Sequence, residues 1–551
     1  MPEIRKSIPT TQLEHEAWPE LSEAVIGLFR DLGETRDFRS GDVFFDIGDD
    51  GYDFIFVESG SIQIVDRAGD RVVVQIEAGN FLGELGMLMG QKPFLAAVGK
   101  DPGRAIVIPQ QRLREAISTV PEVADVIVQA FAARRRLLMQ WGEGGLTIIG
   151  SEEDPKTLRL LEFAARGAIP HRLLKRSETE AIRAAIGTQP LPEDDPVAVT
   201  GRAQILASPT PRALAAALGL DLVADMHTVF DVAIIGAGPA GLAASVYAAS
   251  EGLSVVTVED TAIGGQAGTS SRIENYLGFP QGLSGAELAF RGEVQAIKFG
   301  ARITTPRGAR RLDRREDRFV IDLDDGSSVT SRAVILANGV QYRRLPLDNL
   351  ERLEGSGVYY AATDLEARFC RNTDAVIVGG GNSAGQAAMF LSRYANCTHI
   401  VVRGEGLAAT MSSYLSDRIL HDRKIKLWTH SEVATLDGAD RLASLELVNR
   451  RTGARTRIDT RALFVMIGAA PNTGWLEDHL ALDDRRFILT GADAGSGSNP
   501  YATSLPGVFA VGDIRAGSVK RVASAVGEGS VVVSGVHRYL SERQQAREAA
   551  Q

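Results

Sequence analysis

Short runs of apolar and alternating residues, separated by glycine and aspartate, fill the first 141 residues of the chain. Such runs are typical of β-strands. The predicted strands are residues 42–47, 54–59, 61–66, 71–77, 95–98 and 105–108. Gly60 and Gly69 stand between strands, where we expect turns. Residues 120–140 repeat with the period of a helix, which predicts a long helix that closes this N-terminal domain (residues 1–141).

Strands and helices alternate in the next segment, which we define as the second domain (residues 142–225). The predicted strands are residues 146–149, 172–174 and 196–200, and the predicted helices are residues 155–166, 177–186 and 211–218. Asp154 is the expected N-cap of the first helix, with Pro155 in its first turn. The order resembles a thioredoxin- or glutaredoxin-like fold, with Asp195-Pro196 where that family has a cis-proline. A plain α/β spacer is the alternative.

The strongest pattern of the chain begins at an apolar strand, residues 232–235. It continues directly into G-x-G-x-x-G, formed by Gly236, Gly238 and Gly241 around Pro239 and Ala240. A small-residue helix and a second strand follow, and this strand ends at Glu259. The glycines allow a tight turn and a close approach of a pyrophosphate, and a helix N-terminus stabilises its charge. An acid in the place of Glu259 binds a ribose hydroxyl, so we predict a dinucleotide site here.

Further candidate cofactor residues are spread over roughly the next 280 residues. Gln266, after Gly265, and Asn275 offer amides to the edges of a flavin. A strand at 333–336 leads into Ala337 and Gly339, and Gly507–Asp513 predicts a strand with Gly512 and Asp513 at its tip. The last helix opens at Arg521, Val522 and Ala523, and its N–H groups can stabilise negative charge. In this order, these residues predict FAD.

A second glycine fingerprint follows a strand at residues 374–378. It comprises Gly379, Gly381 and Ala384, with Asn382 and Ser383 inside it. The next strand leads to Arg403 where an acid would select NADH. A cation there suits a 2′-phosphate, so we predict NADPH as the second cofactor. A solvated arginine at a strand end is the alternative.

Six motifs between residues 226 and 540 are similar to those of the low-molecular-weight thioredoxin reductase family. They are G-A-G-P-A-G, G-G-Q, I-E-N-Y, G-G-G-N-S-A, I-G-A-A-P-N-T and T-S-L-P-G-V-F-A-V-G-D. The resemblance implies a first nucleotide-binding domain, for FAD, made of residues 226–345 and 468–551. It also implies a second nucleotide-binding domain, for NAD(P)H, at residues 346–467, and a homodimer.

The N-terminal domain resembles the cyclic-nucleotide-binding β-roll. Its Gly83 and Glu84 stand where that family has the G-E-L turn that cradles the cyclic phosphate and binds the ribose. The arginine that pairs with the phosphate in that family is missing, because Pro93 is followed by Phe94 and Leu95. A buried phosphate without a cation is costly. Two readings stay open: a weak cyclic nucleotide site, or a β-roll with a regulatory or assembly role. The fold class is therefore multidomain: a β-roll, a thioredoxin-like α/β domain and two Rossmann-like domains.

One departure from the thioredoxin reductase pattern affects the predicted chemistry. Where that family has C-A-T-C beside the flavin, this chain has Ala361 and Asp364 as the outer residues. The S-E-E-D stretch of the second domain likewise stands where thioredoxins have C-x-x-C. Cys370 and Cys397 are the two cysteines of the chain and are not spaced as a dithiol motif. Asp364 is then a candidate proton donor or acceptor, while the flavin itself carries the chemistry.

Composition restricts the remaining function classes. The net charge of −10 argues against a nucleic-acid partner, and no apolar run is long enough for a membrane span. The N-terminus lacks the apolar core of a signal peptide, so we expect a cytoplasmic protein, and we predict no metal site.

Two functions stay open at this point. The first is an FAD-dependent NAD(P)H oxidoreductase that transfers hydride from NADPH to the flavin and then electrons to an unidentified acceptor. The second is a nucleotide-responsive redox sensor or scaffold that retains a flavoprotein domain.

Overall fold

Four sheets of four or more strands form successive cores along the described chain of the computed structural model. The structure describes residues 5–49, 51–67, 71–89, 91–142, 145–152, 154–201, 204–220, 228–268, 270, 273, 275–353, 356–360, 362, 364–407, 411–439, 441–476, 479–497 and 499–550. The predicted multidomain fold class, a β-roll followed by a thioredoxin reductase-like pair of Rossmann-type sheets, is confirmed.

The N-terminal domain is an antiparallel roll closed by helices. Its elements are α1 (Gln12–Ala17), α2 (Glu23–Leu32), β1 (Glu34–Phe38), β2 (Val43–Phe45), β3 (Phe54–Asp66), β4 (Arg71–Glu77), β5 (Phe81–Leu82), α3 (Leu85–Met89), β6 (Ala96–Ile108), α4 (Gln110–Thr119) and α5 (Pro121–Trp141). The sheet order is β1-β6-β3-β4. Phe54, Phe81 and Phe131 are buried at its centre, where α5 packs on the strands.

Two pairs of predicted strands are single long strands in the structure. The predicted strands at 54–59 and 61–66 are both part of β3, and those at 95–98 and 105–108 both fall in β6. Gly60 has a φ of +81° inside β3, and the pairing with β6 shifts register on both sides of it. A Cβ atom at Gly60 would lie 2.6 Å from the Asp101 carbonyl oxygen. The turn predicted at Gly60 was therefore wrong, because this glycine forms a bulge. Gly69 lies outside the described residues.

The second domain is a four-stranded mixed sheet. Its elements are β7 (Leu146–Ile149), α6 (Pro155–Arg166), β8 (His171–Leu174), α7 (Thr179–Ile186), β9 (Val197–Thr200), β10 (Gln204–Ala207) and α8 (Pro211–Ala217). The strand order is β10-β9-β7-β8, with β7 parallel to β8 and antiparallel to β9. Asp154 caps α6 by accepting a 2.7 Å hydrogen bond from the Thr157 N–H, and the Asp195–Pro196 bond is cis. The sequence analysis missed β10, an edge strand with only weak apolar character.

The first nucleotide-binding domain is built around a largely parallel sheet. The second nucleotide-binding domain is inserted into this one. The elements that precede the insertion are β11 (Val229–Ile235), α9 (Pro239–Ser250), β12 (Val255–Val258), α10 (Gly265–Gly268), α11 (Gly285–Lys298), β13 (Arg302–Thr304), β14 (Ala309–Arg315), β15 (Arg318–Leu323), β16 (Ser328–Leu336) and β17 (Val340–Tyr342). The strand order is β13-β12-β11-β16-β15-β14.

The second nucleotide-binding domain repeats this plan. Its elements are α12 (Leu350–Leu353), β18 (Val358–Tyr359), α13 (Asp364–Phe369), β19 (Asp374–Val378), α14 (Asn382–Leu391), β20 (Thr398–Val401), α15 (Ser413–His421), β21 (Ile425–Trp428), β22 (Ser431–Asp437), β23 (Ser444–Asn449), β24 (Arg455–Val465) and β25 (Ala469–Pro471). The order is β21-β20-β19-β24-β23-β22. The chain then returns through β26 (Val508–Ala510), which pairs with β16, and ends in α16 (Val522–Ala550).

The two connections between the nucleotide-binding domains pair with each other. β17 leaves the first domain and runs antiparallel to β25, which returns to it. The side-chain amide of Asn338 donates to the Asn472 carbonyl (2.8 Å), and that of Asn472 donates to the Asn338 carbonyl (3.0 Å). These reciprocal bonds hold the connections together beside the first glycine loop.

Candidate functional site

The first glycine loop lies at the carboxyl edge of the parallel sheet. Gly236 has a φ of +105°, and a Cβ atom there would lie 2.5 Å from the Ala337 carbonyl oxygen. A Cβ atom at Gly241 would overlap the Gly236 carbonyl oxygen. These two glycines are required by the close packing of β11, α9 and β16.

Gly238 differs from its neighbours because the protein itself leaves room around it. A Cβ atom there would meet a single described atom within 4 Å, the Gly265 Cα at 3.9 Å. Gly238 is also the N-cap of α9, and Pro239 occupies the first helical position. Among the described residues the N–H groups of Ala240 and Gly241 in this first turn have no backbone partner, and such groups at a helix N-terminus are suited to bind an anion.

The carboxylate of Glu259 supports the loop from the end of β12. It accepts hydrogen bonds from the Ala237 N–H (2.7 Å) and the Thr261 N–H (3.1 Å). Burial, with a smaller contribution from Asp260, raises the pKa of Glu259 to about 7. The structure thus brings Glu259 to the glycine loop, where the sequence analysis expected it.

A second glycine turn faces the first. Gly264 and Gly265 both have positive φ values (+102° and +53°), and a Cβ atom at Gly265 would lie 3.1 Å from the Gly238 Cα. Gln266 donates to the Val340 carbonyl at 3.3 Å and so joins this turn to β17. Asn275 is exposed and has no contact among the described residues that joins it to this group.

The turn after β26 lies beside the two glycine turns, and we call these three turns together the loop cluster. Gly512 (φ +72°) would place a Cβ atom 3.0 Å from the Ala240 Cβ, which brings the Gly512–Asp513 turn against α9. Burial raises the pKa of Asp513, an effect that Lys520 opposes. Glu528 of α16 accepts from the Gly512 N–H at 2.7 Å and pairs with Arg515 at 2.7 Å. The sequence analysis missed this buried ion pair, which orients the turn.

The start of α16 is more exposed than the glycine loops. Arg521 is exposed, and the helix begins at Val522, followed by an exposed Ala523. The Arg521 carbonyl accepts from the Ala525 N–H at 3.0 Å, which leaves the N–H groups of the first turn available.

The loop cluster contains one buried polar atom with no described partner. The Asn338 Oδ1 atom lies between Ala337 and Gly339 (φ +58°) and has no hydrogen bond among the described residues. An orphaned buried acceptor is costly unless a ligand satisfies it. Together with the open space at Gly238, this atom fits a bound dinucleotide.

The second glycine loop repeats the geometry of the first. A Cβ atom at Gly379 (φ +144°) would overlap the Met466 carbonyl oxygen, and Ala384 is fully buried behind it. Gly381 is the N-cap of α14, and the Asn382 Oδ1 atom accepts from the Ser412 N–H at 2.8 Å. Ser383 is exposed on the first turn of that helix. This loop is therefore shaped for a second dinucleotide.

Arg403 follows the end of β20 and is exposed to solvent. Among the described residues it forms no ion pair, so its guanidinium is available at the edge where the second glycine loop lies.

Cys370 and Cys397 are both free thiols in the structure. Cys370 is fully buried, its thiol donates to the Glu366 carbonyl at 3.6 Å, and burial raises its pKa to about 12. Burial also raises the pKa of Cys397. Ala361 and the side chain of Asp364 lie outside the described residues, so the role of Asp364 stays a prediction.

The G-E-L turn of the N-terminal domain forms as expected and is followed by α3. Gly83 has a φ of +133°, and a Cβ atom there would lie 2.5 Å from the Phe131 ring. The Glu84 carboxylate is already engaged by Arg135 (2.6 Å) and by the Gly86 N–H (2.6 Å).

Several contacts among the described residues, which the sequence did not predict, join the first two domains to the first nucleotide-binding domain. Arg166 of α6 donates to the Gly265 carbonyl at 3.2 Å, and Arg136 of α5 pairs with Glu287 of α11 at 2.7 Å.

The described residues contain no group of three or more histidine, cysteine or acidic side chains that could hold a metal ion. By length and composition, no single described helix can cross a membrane, and α4 with α5 meet that test only as a pair bent by 117°.

Two largely parallel sheets, each with a glycine loop opening a helix at its carboxyl edge, define a protein with two dinucleotide-binding domains. The chain belongs to the pyridine nucleotide-disulphide oxidoreductase family, whose model matches residues 230–529, more than half of its 551 residues. The model of the cyclic nucleotide-binding domain matches residues 35–120. The resemblances of residues 226–540 to the thioredoxin reductases and of the N-terminal domain to the cyclic-nucleotide-binding β-roll are confirmed. The thioredoxin-like resemblance of the second domain stays a prediction.

Relatives of this chain include several thioredoxin reductases. The thioredoxin reductase of Mycolicibacterium smegmatis is 33% identical over 325 residues, which are 58% of this chain and 98% of that protein. The crystal structure of Lactococcus lactis thioredoxin reductase in its FR conformation aligns with a TM-score of 0.52 at 26% identity, over 57% of this chain and 99% of that one. That of T. acidophilum aligns with a TM-score of 0.52 at 28% identity, over 57% and 98%.

Proposed function

We propose that this protein is an FAD-dependent NAD(P)H oxidoreductase that passes electrons to its acceptor without using a dithiol motif in its own chain. The observation that carries the proposal is the pair of glycine loops, each at the carboxyl edge of its sheet, combined with two cysteines that form no dithiol motif. The family supports an oxidoreductase, and the finer assignment rests on the residues of this chain.

The first glycine loop would hold FAD. The first-turn N–H groups of α9 would bind the pyrophosphate, Glu259 would accept from a ribose hydroxyl, and Asp513 from the ribityl chain. The Asn338 Oδ1 atom, which has no partner among the described residues, and the Gln266 amide would be partners for the isoalloxazine edge. When bound, FAD supplies the hydride and electron transfer chemistry that no side chain of the protein can supply.

The second glycine loop would hold NADPH. The first turn of α14, with Asn382 and Ser383, would bind the pyrophosphate, and the exposed guanidinium of Arg403 would bind the 2′-phosphate. A carboxylate in that place would repel the phosphate, so Arg403 favours NADPH over NADH.

The two cysteines cannot act together as a disulfide-reducing dithiol, and this restricts which electron acceptors the protein can use. Reduction of a protein disulfide requires one thiolate to attack and a second thiol to resolve the mixed disulfide. Cys370 is buried with a pKa of about 12 and has no partner cysteine in a C-x-x-C motif. We therefore propose an acceptor that takes electrons directly from the flavin: a ferredoxin-type protein, a quinone, oxygen or a small disulfide.

A purified, full-length sample tests the proposal. The protein should be yellow, and anaerobic NADPH should bleach the flavin absorbance. An acceptor screen with a ferredoxin, a quinone and oxygen should then restore steady NADPH consumption for at least one of them. A colourless protein, or one whose bound flavin NADPH does not bleach, would contradict the assignment.

The domain contacts favour a second candidate, a redox protein whose state is controlled by the N-terminal domains. Arg136 and Arg166 each contact the first nucleotide-binding domain, and Arg166 does so at the Gly265 turn. Bleaching by NADPH without turnover on any acceptor would favour this sensor over the enzyme.

Size-exclusion chromatography with light scattering tests the homodimer, which is part of the same proposal.

A further inference from the structure

The N-terminal domain encloses a cavity between its strands and α5. The space in it that the centre of a water molecule can occupy is about 80 Å³. Aromatic and aliphatic side chains form nearly all of its wall; they include Trp18, Phe45, Tyr52, Phe94 and Trp141. The rings of Trp18 and Trp141 stack with their centroids 6.1 Å apart.

One buried cation, Arg134, lines this apolar cavity. Its side chain is 7% exposed and lies over the Phe81 ring at 4.2 Å. Nε donates to the Ala17 carbonyl and one Nη atom to the Gly83 carbonyl, both at 2.9 Å. The guanidinium is therefore fixed in position by two backbone carbonyls.

Two buried donors of the cavity wall have no hydrogen-bond partner among the described residues. They are the second Nη atom of Arg134 and the indole Nε1 atom of Trp18. The Ala17 carbonyl that holds Arg134 directly precedes Trp18 in the chain. Buried donors without acceptors are rare in native structures and costly, so a ligand with acceptor atoms is expected here.

The charge balance of the cavity wall shows what kind of acceptor is needed. Glu84 pairs with Arg135 at 2.6 Å, so that these two charges neutralise each other. Among the described residues no carboxylate lies within salt-bridge distance of Arg134. Burial lowers the pKa of this guanidinium to about 9, although Tyr52 and the Glu84 carboxylate oppose the shift. A buried cation without a directly paired anion is unfavourable, and a bound anion would reduce that cost.

We propose that this cavity binds an apolar monocarboxylate, whose carboxylate accepts from Arg134 and Trp18 while its hydrocarbon part packs between the aromatic rings. The inference goes beyond the proposed redox function and does not depend on it. A cyclic nucleotide matches the wall less well, since its ribose hydroxyls would face apolar side chains and the Glu84 carboxylate is already paired.

Quenching of tryptophan fluorescence by 11-bromoundecanoate in the full-length protein tests this proposal. Bromine quenches an indole on contact, and Trp18 and Trp141 line the cavity. The neutral analogue 11-bromo-1-undecanol has the same chain without the charge. We expect the acid to bind at least about tenfold more tightly than the alcohol, since a hydrogen bond to a charged group contributes about 1.5–3 kcal/mol.

Three variants separate the charge from the cavity. Arg134→Met should abolish the preference for the acid while the alcohol still quenches. Val74→Phe, which fills the cavity from β4 and keeps Arg134, should weaken both probes. Arg112→Met removes an arginine of α4 outside the cavity and is the matched control, which should behave as wild-type.

Val74→Phe keeps the test valid if Arg134→Met fails to fold. Absence of quenching by the acid, equal affinity for acid and alcohol, or unchanged binding in Val74→Phe would each overturn the proposal. Cyclic AMP binding more tightly than the acid would overturn it as well, and would restore a cyclic nucleotide as the ligand.

Discussion

Arg136 of α5 and Glu287 of α11 form a salt bridge with an N–O distance of 2.7 Å across two domains. Of the two preceding residues, Arg134 lines the cavity and Arg135 pairs with Glu84. Three consecutive arginines of one helix thus contact the cavity, the G-E-L turn and the first nucleotide-binding domain. α11 begins at Gly285, whose N–H donates to the Ser270 carbonyl just after the Gly265 turn. α11 therefore connects α5, which lines the N-terminal cavity, to the segment that follows the Gly264-Gly265 turn.

The first prediction concerns this salt bridge. A double-mutant cycle with Arg136→Met and Glu287→Gln should give a coupling free energy of about 1 kcal/mol, because both side chains are partly buried. The Lys298–Asp125 pair at 2.8 Å crosses the same interface but is more exposed, and it is the matched comparison. Urea unfolding measures both cycles. A larger coupling for Lys298–Asp125 would show that burial does not determine the strength of these contacts.

Gly238→Val should remove FAD from the protein. The φ of Gly238 is −72°, and the protein leaves space for a Cβ atom, so the substitution strains the bound pyrophosphate and not the fold. We expect FAD affinity to fall at least about tenfold, measured as flavin absorbance per protein chain. Gly527→Val in α16, with no atom within 4 Å of its Cβ position, is the control. Full FAD occupancy in Gly238→Val would refute the assignment of this loop.

Arg403→Ala should narrow the preference for NADPH over NADH. Loss of a charge-assisted contact to the 2′-phosphate should weaken NADPH about tenfold or more and leave NADH unchanged. Stopped-flow flavin reduction at sub-saturating nucleotide measures both rates. Arg371→Ala, an exposed arginine of the same domain, should not alter the ratio. Equal rates for the two nucleotides in the wild-type protein would count against Arg403 as the selecting residue.

Thioredoxin should not be a substrate. Neither Ala361 nor Asp364 can carry a disulfide, and the Cys370 thiol, with its pKa raised to about 12, is almost entirely protonated at neutral pH. NADPH oxidation with thioredoxin and insulin should stay at the background of free reduced flavin, equally in Cys370→Ser. Turnover that Cys370→Ser abolishes would make Cys370 catalytic. Turnover that survives it would indicate direct flavin chemistry with the disulfide.

We predict that the free energy of unfolding depends on pH through the carboxyl group of Glu293 in α11. Burial raises its pKa from 4.5 to about 7, although Arg135 opposes the shift. The stability associated with this carboxyl is fully present below pH 4.5 and is lost as the pH rises through about 7. Glu293→Gln should therefore stabilise the protein by up to about 3 kcal/mol at about pH 8 and by less than about 1 kcal/mol at about pH 5. The urea midpoint measures this, with the exposed Glu122→Gln as control. A gain of equal size at both pH values would rule out titration of Glu293 as its cause.

The sequence by itself determined the two glycine loops and the strands and helices around them. Gly236 and Gly379 need positive φ values and a close approach of backbone, and such local requirements are visible in a few consecutive residues. The absence of a dithiol motif is equally local, since it depends only on the spacing of Cys370 and Cys397. The β-roll was recognised from its strands and its G-E-L turn for the same reason.

Only the tertiary structure decided which polar side chains are buried and unpaired. Arg134 lies in a helix with ordinary amphipathic periodicity, and its burial over Phe81 results from packing between segments far apart in sequence. The Arg515–Glu528 pair and the contact of Arg166 with Gly265 arise in the same way. Gly60 shows the converse case, because whether a glycine turns the chain or bulges a strand depends on the partner strand, β6, which lies about 40 residues further along the chain. Desolvation and pairing depend on these distant neighbours, and the sequence pattern does not specify them.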